Sequence, residues 1–278
     1  LSYIKTKSGE TYFEDDNGQP WRCLHYVANS ICHQQVERPE QFYQSALSFG
    51  HFLKQLGDYP AESLYETIPQ FHDTVKRLRD FKDAQRKDVK NRARKCKPEI
   101  EFVLSREDDC GVLMKQLEEG KLPLRVTHND TKSNNVLIDK ATGRGLCVID
   151  LDTVMPGLTA YDFGDAIRTG ANTAEEDERD LSRVQFSLPM FEAFTRGFLK
   201  EAGQTLTARE IELLPMGAKL MTLECGMRFL ADHLNGDKYF RVHREGHNLD
   251  RARTQFELVR HMEENWQNMA DIVRMCAK

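Results

Sequence analysis

With 278 residues, 32.1 kDa and a formal net charge of −5, the chain can bury a full core, and it has no basic excess to neutralise nucleic-acid phosphates. Hydrophobic residues at 40% and charged residues at 30% are those of a soluble globular protein; no apolar run spans a bilayer and no signal peptide is visible. The seven cysteines are odd in number and form no C-x-x-C, which reads as reduced thiols in a cytoplasmic protein and argues against a disulfide frame or zinc site.

In chain order, Thr11–Glu14 and Trp21–Val27 read as strands flanking D-D-N-G-Q-P, where Asn17-Gly18 tolerates the positive φ of a hairpin turn. Phe42, Ala46, Phe49, Phe52, Leu53 and Leu56 have helical spacing, and Gly57 ends that helix. Residues 72–97 are dominated by mixed charge, the signature of a solvated helix face. Pro98 opens a helix with Ile100, Val103, Leu104, Leu113 and Leu117 on one face and Gly120 after it.

Residues 124–152 carry the chemistry. They read as strand, polar loop, strand, tight turn and strand, with His128, Asn129, Asp130, Lys132 and Asn135 in the loop and Asp150 closing the last apolar run. Both polar ends of such a hairpin face one cleft. Phosphoryl transfer from a nucleotide needs this set: one carboxylate to orient the accepting hydroxyl and take its proton, and a carboxylate with an amide oxygen to hold Mg²⁺ on the phosphates. H-x-D-x-x-x-x-N followed by an apolar strand ending in Asp is the spacing of kinase-like folds.

Beyond the loop, Asp162-Phe163-Gly164 spells a kinase metal-binding tripeptide but lies thirty-two residues past Asp130, too far for the next hairpin strand. Asp162 and Asp165 are therefore read as structural, in loop hydrogen bonds and at a helix start. Residues 173–180 are acidic and residues 189–201 helical. Thr207 and Glu210 form a capping box ahead of a helix bearing Ile211, Leu214, Ala218, Met221 and Cys225, which Pro215 is expected to kink. That stripe runs into Arg228 and Asp232, which either face a polar cleft or pair with each other. A last helix carries Leu249, Ala252, Phe256, Val259, Met262, Trp266, Met269 and Val273.

The stretch H-N-D-T-K-S-N-N-V-L-I-D with C-V-I-D-L-D-T-V-M-P-G resembles the aminoglycoside/choline kinase superfamily. R-F-L-A-D-H-L-N-G-D-K-Y-F-R and N-L-D-R-A-R-T-Q-F narrow the resemblance to its N-acetylhexosamine 1-kinases. The resemblance implies an α+β, protein-kinase-like fold: a remnant of the N-terminal β-sheet and hinge over residues 1–28, and a mainly helical C-terminal lobe over 29–278. It makes Asp130 the catalytic carboxylate, Lys132 a neighbour of the transferred phosphate, Asn135 and Asp150 the Mg²⁺ ligands, and Val27, Ala28 and Asn29 the segment that meets the adenine of ATP. Asp152 is a supporting or substrate-side carboxylate.

The implied reaction is transfer of the ATP γ-phosphate to the anomeric hydroxyl of an N-acetylhexosamine by a cytoplasmic monomer whose partners are ATP and the sugar. Arg228 and Tyr239 lie in the part that resembles the sugar kinases and are expected to line the sugar pocket. No G-x-G-x-x-G and no strand Lys precede the hinge, so the sequence reads as lacking most of the N-terminal lobe, with apolar surface exposed near Trp21–Val27 and weakened ATP binding. Three rivals stand beside this reading. They are a kinase for choline, an aminoglycoside or another sugar; a haloacid-dehalogenase-type phosphatase using Asp150 and Asp152 of V-I-D-L-D-T-V; and an inactive binding protein.

Overall fold

The Asn17-Gly18 signal makes a turn: in the computed structural model, which describes residues 1–278, Gly18 has φ +74° and Asp15 accepts the amides of Asn17 and Gln19. This turn joins β1 (Phe13–Glu14) to the antiparallel β2 (Pro20–Trp21). The longer strand expected over Trp21–Val27 does not form. Beyond Trp21 only a Tyr3–Leu24 bridge continues it, since no further strand offers backbone partners. β3 (Ser30–Ile31) instead joins the central hairpin described below.

α1 (Pro39–Gln55) starts on a proline whose missing N–H costs nothing in a first turn, and it buries Phe42, Ala46, Phe49 and Leu53. α2 (Thr74–Lys87) is capped by the Asp73 side chain on Lys76 N and ends at left-handed Asp88. Its charged face is solvated, and Thr74, Phe81 and Ala84 alone are buried. The helix expected from Pro98 is three pieces: α3 (Lys97–Leu104), α4 (Glu107–Cys110) and α5 (Val112–Glu118). Arg106 sits at the first break, donating to Phe102 O and pairing with Glu263, so a tertiary ion pair replaces helix continuation.

β4 (Arg125–Thr127) pairs with β7 (Met155–Gly157), while β5 (Val136–Asp139) and β6 (Gly145–Val148) form the hairpin, with β3 on its outer edge. Helices complete the chain: α6 (Thr159–Gly170), α7 (Leu188–Ala202), α8 (Ala208–Glu212), α9 (Leu214–Leu234), α10 (His247–Glu264) and α11 (Trp266–Cys276). The Thr207–Glu210 capping box is formed in both directions. Pro215 begins α9 and does not kink a longer helix, because α8 ends before it. The single C-terminal helix expected is two, broken at Asn265, whose side-chain amide donates to His261 O.

Two apolar cores result. One joins α1, α7, α11 and the hairpin; the other joins α2, α3, α9 and α10. α6 lies between them and crosses α9 closely: a Cβ on Gly164 would stand 2.3 Å from Gly217 O, and one on Gly217 would stand 2.4 Å from Ala160 O. Only glycine permits that approach, and it seats the first turn of α9 directly on α6. No helix is long and apolar enough to cross a membrane.

Candidate active site

The loop between β4 and β5 is held from below by α6. Asp162 accepts the amides of His128 (2.9 Å) and Asn129 (2.7 Å), and Asp165 accepts that of Thr131 (3.0 Å). Both aspartates are buried. Burial pushes the Asp162 carboxyl above its ordinary range, with His128 and the two amides opposing. Burial presses Asp165 the same way, but Arg168 at 2.8 Å and nearby Lys132 outweigh it and its pKa is lowered. Neither aspartate caps the helix start, as α6 begins at Thr159; they lie one and two turns in, aimed at the loop. The DFG spelling is thus loop scaffolding.

His128 closes the loop over the hairpin. Its Nε2 faces Ile149 O at 2.9 Å, its Nδ1 accepts from Asp130 N at 3.3 Å, and the edges of Phe49 and Phe52 wall the ring. Asn129 adopts the left-handed conformation (φ 64°), which turns the chain sharply just before Asp130.

Asp130 is half-buried, with Oδ1 at 2.7 Å from Lys132 Nζ and Oδ2 accepting from Asn135 Nδ2 at 3.1 Å. Burial disfavours the Lys132 ammonium, but the Asp130 carboxylate outweighs it and the pKa is raised. Asn135 Nδ2 also donates to Asp130 O at 2.8 Å. With both these partners acceptors, the amide orientation is fixed and Oδ1 is left free of any hydrogen bond. The two chain segments are joined by Ile149 N on Asn135 O at 2.9 Å. Asp150 follows at φ 60°, ψ 61°, exposed, its carboxylate without a partner. A carboxylate and an amide oxygen, both unengaged, are the hard oxygen donors that suit Mg²⁺.

The sequence profile of the phosphotransferase enzyme (APH) family matches residues 11–198, more than half of the chain. The chain belongs to this family. Its fold is similar to that of three solved kinases. These are a microcompartment-associated aminopropanol kinase (15% identity, TM-score 0.59, covering 97% of this chain and 76% of that one), a choline kinase from Cryptosporidium parvum (14%, 0.56, 94% and 74%) and a Plasmodium vivax ethanolamine kinase (16%, 0.52, 81% and 62%). The α+β, mainly helical, protein-kinase-like architecture of the aminoglycoside/choline kinase superfamily is therefore this chain's own.

Within this phosphotransferase, Asp130, Lys132 and Asn135 are in direct contact, and Ile149, the neighbour of Asp150, is hydrogen-bonded to Asn135. Asn29 meets the hairpin, its carbonyl accepting from Lys140 N, and Val27 and Ala28 lead into it through a turn in which Val27 O accepts from Ser30 Oγ. Asp152 is exposed and paired with Arg22, so the N-terminal segment reaches the end of β6. A groove of about 740 Å³ lies behind the hairpin, lined by Tyr43, Leu47, Phe52, Leu146 and Lys200, and includes none of these residues.

Arg228 and Asp232 do not pair, contrary to one expectation. Asp232 accepts the amides of Lys238, Tyr239 and Phe240 and the side chain of Asn248, which consumes its carboxylate in shaping the next loop. Arg228 turns the other way. It lies 3.8 Å from Glu224 and over the rings of Phe71 (5.2 Å), Phe240 (5.5 Å) and Tyr239 (5.8 Å), and its N–H groups make no hydrogen bond. Glu224 continues through His72 to Asn129 O, so this aromatic-walled cation is connected to the loop that bears Asp130. Sequence reading missed His72, Glu224 and Phe71. One signal was available: Glu224 is the lone carboxylate in the apolar run M-T-L-E-C-G-M.

Proposed function

We propose that the protein transfers the γ-phosphate of ATP to a hydroxyl of a small sugar, the anomeric hydroxyl of an N-acetylhexosamine. Family membership supports the phosphotransfer; the observation that carries the acceptor is Arg228, a half-buried guanidinium with unfilled donors beside three aromatic rings. A pyranose offers oxygens to those donors and an apolar face to Tyr239. A cationic amino alcohol would meet like charge there. The likeness to amino-alcohol kinases is one of fold and does not carry their acceptors over.

Asp130 Oδ accepts the proton of the sugar hydroxyl as its oxygen bonds to the γ-phosphorus. The bond from that phosphorus to the β,γ-bridging oxygen breaks, and ADP leaves. Lys132, charged through its pairing with Asp130, is placed to shift toward the transferring phosphoryl oxygens. Asn135 Oδ1 and Asp150 would hold Mg²⁺, which when bound offsets charge on the phosphates. Val27–Asn29 would receive the adenine, and Asp152 would border the acceptor. The protein acts in the cytoplasm. Family membership removes the support for a phosphatase built on Asp150 and Asp152.

Screening ATP consumption by the full-length protein against sugars and amino alcohols tests the acceptor. Arg228→Ala should lower kcat/KM for the sugar by roughly ten- to a hundred-fold, the worth of a charged hydrogen bond, with KM for ATP unchanged. Equal loss toward both substrates, or preference for choline in the unaltered protein, would overturn the sugar reading.

A further inference from the structure

His72 is 8% exposed and stands between two acceptors: Glu224 Oε1 is 3.1 Å from Nδ1, and Asn129 O is 3.3 Å from Nε2. A ring with an acceptor at each nitrogen donates to both only as an imidazolium. Its counter-ion is equally enclosed. Glu224 is 1% exposed, and its Oε2 has no hydrogen-bond partner, so its charge is balanced by His72 and by Arg228 and Arg77 at 3.8 and 4.0 Å. A buried carboxylate of this kind persists only against a fixed cation. The Asn129 carbonyl belongs to the peptide bond that leads into Asp130, at the residue whose positive φ makes the turn, and it takes no other hydrogen bond.

We infer that the His72 imidazolium, anchored by Glu224, is a positioning residue for phosphoryl transfer: by gripping the Asn129 carbonyl it sets the direction in which the Asp130 carboxylate points. This rests on the reading of Asp130 as the proton acceptor. It extends the site some distance along the chain, to the start of α2 and the middle of α9. The pair also joins the two functional ends, because Arg228 on the acceptor side shares Glu224 with His72. The groups that face the ring are Glu224 and Arg228 from α9, Arg77 from α2, and Tyr161, Asp162 and Asp165 from α6. Glu224 outweighs burial, and the His72 pKa is raised.

Two measurements on the full-length protein test this. In kinetics, His72→Gln and Glu224→Gln should each lower kcat by about tenfold or more while KM for ATP holds, as for an interaction made in the transition state. The alkaline fall in kcat that follows His72 ionisation should move to lower pH in Glu224→Gln. A role confined to stability would lower the melting temperature and leave kcat and its pH profile intact. The second measurement is independent of turnover: NMR of the His72 ring nitrogens and the Asn129 carbonyl carbon across pH. Both ring nitrogens should be protonated at pH 7, and the carbonyl shift should titrate with them. A neutral ring at pH 7, or a carbonyl shift indifferent to His72 ionisation, overturns the inference even if the kinase reading stands. A protein that transfers no phosphate but shows the coupled titration would retain the His72–Asn129 link and refute the reading of Asp130.

Discussion

Single charged residues acquire their roles here through neighbours far away in sequence. Asp130 and Asn135 are five apart, and their place in one loop could be read from spacing, though the bond between their side chains could not. His72 and Glu224 are 152 residues apart, and no local pattern joins them. Their pairing has a thermodynamic consequence. Because the folded-state pKa of His72 is raised, the stability it contributes is complete below the unfolded value near 6.5 and is lost as pH rises through the higher folded value. The difference in unfolding free energy between the unaltered protein and His72→Gln, from urea titrations, should therefore shrink from pH 6 toward alkaline pH. A difference constant across that range would show that His72 does not change charge state on folding as described.

At the level of elements, sequence periodicity located the helices well and their interruptions poorly. The apolar stripe of α1 and the capping box at Thr207 are local signals and were legible. The breaks at Ser105–Arg106 and Asn265 and the separation of α8 from α9 were not: an apolar stripe continues across a change of axis, and the break at Arg106 is tied to a distant Glu263. The same limit applies to Arg228 and Asp232, whose i, i+4 spacing suggested a pair; the loop amides of residues 238–240 claim Asp232 first. The α6–α9 crossing depends on Gly164 and Gly217, neither of which stands out in sequence. Gly217→Val should force the helices apart, at a cost of roughly 1–3 kcal/mol or more from overpacking. Chemical denaturation measures it, and an unchanged midpoint would mean that the crossing tolerates a side chain.

Across the molecule, residues 1–29 contrast with the rest. Trp21 is 62% exposed and Tyr26 86%, with Tyr12 and Phe13 also in solvent, whereas the helical body buries most of its phenylalanines in two cores. Exposed aromatic surface of this kind favours association. Sedimentation velocity of the 278-residue chain should show self-association that falls when Trp21 and Tyr26 are both replaced by serine, with the melting temperature little changed. Equal behaviour of the two proteins would place any association elsewhere.

The central claim is that Asp130 drives transfer of the γ-phosphate to a sugar hydroxyl. It is tested most directly by following label from γ-³²P ATP with Mg²⁺ and N-acetylglucosamine in the full-length protein and in Asp130→Asn. The account predicts label in sugar 1-phosphate, dependent on Mg²⁺, and a rate lowered by roughly 10²–10⁴ in the variant, the usual worth of a general base. Label appearing covalently on Asp150, or an Asp130→Asn protein that retains the full rate, would contradict it.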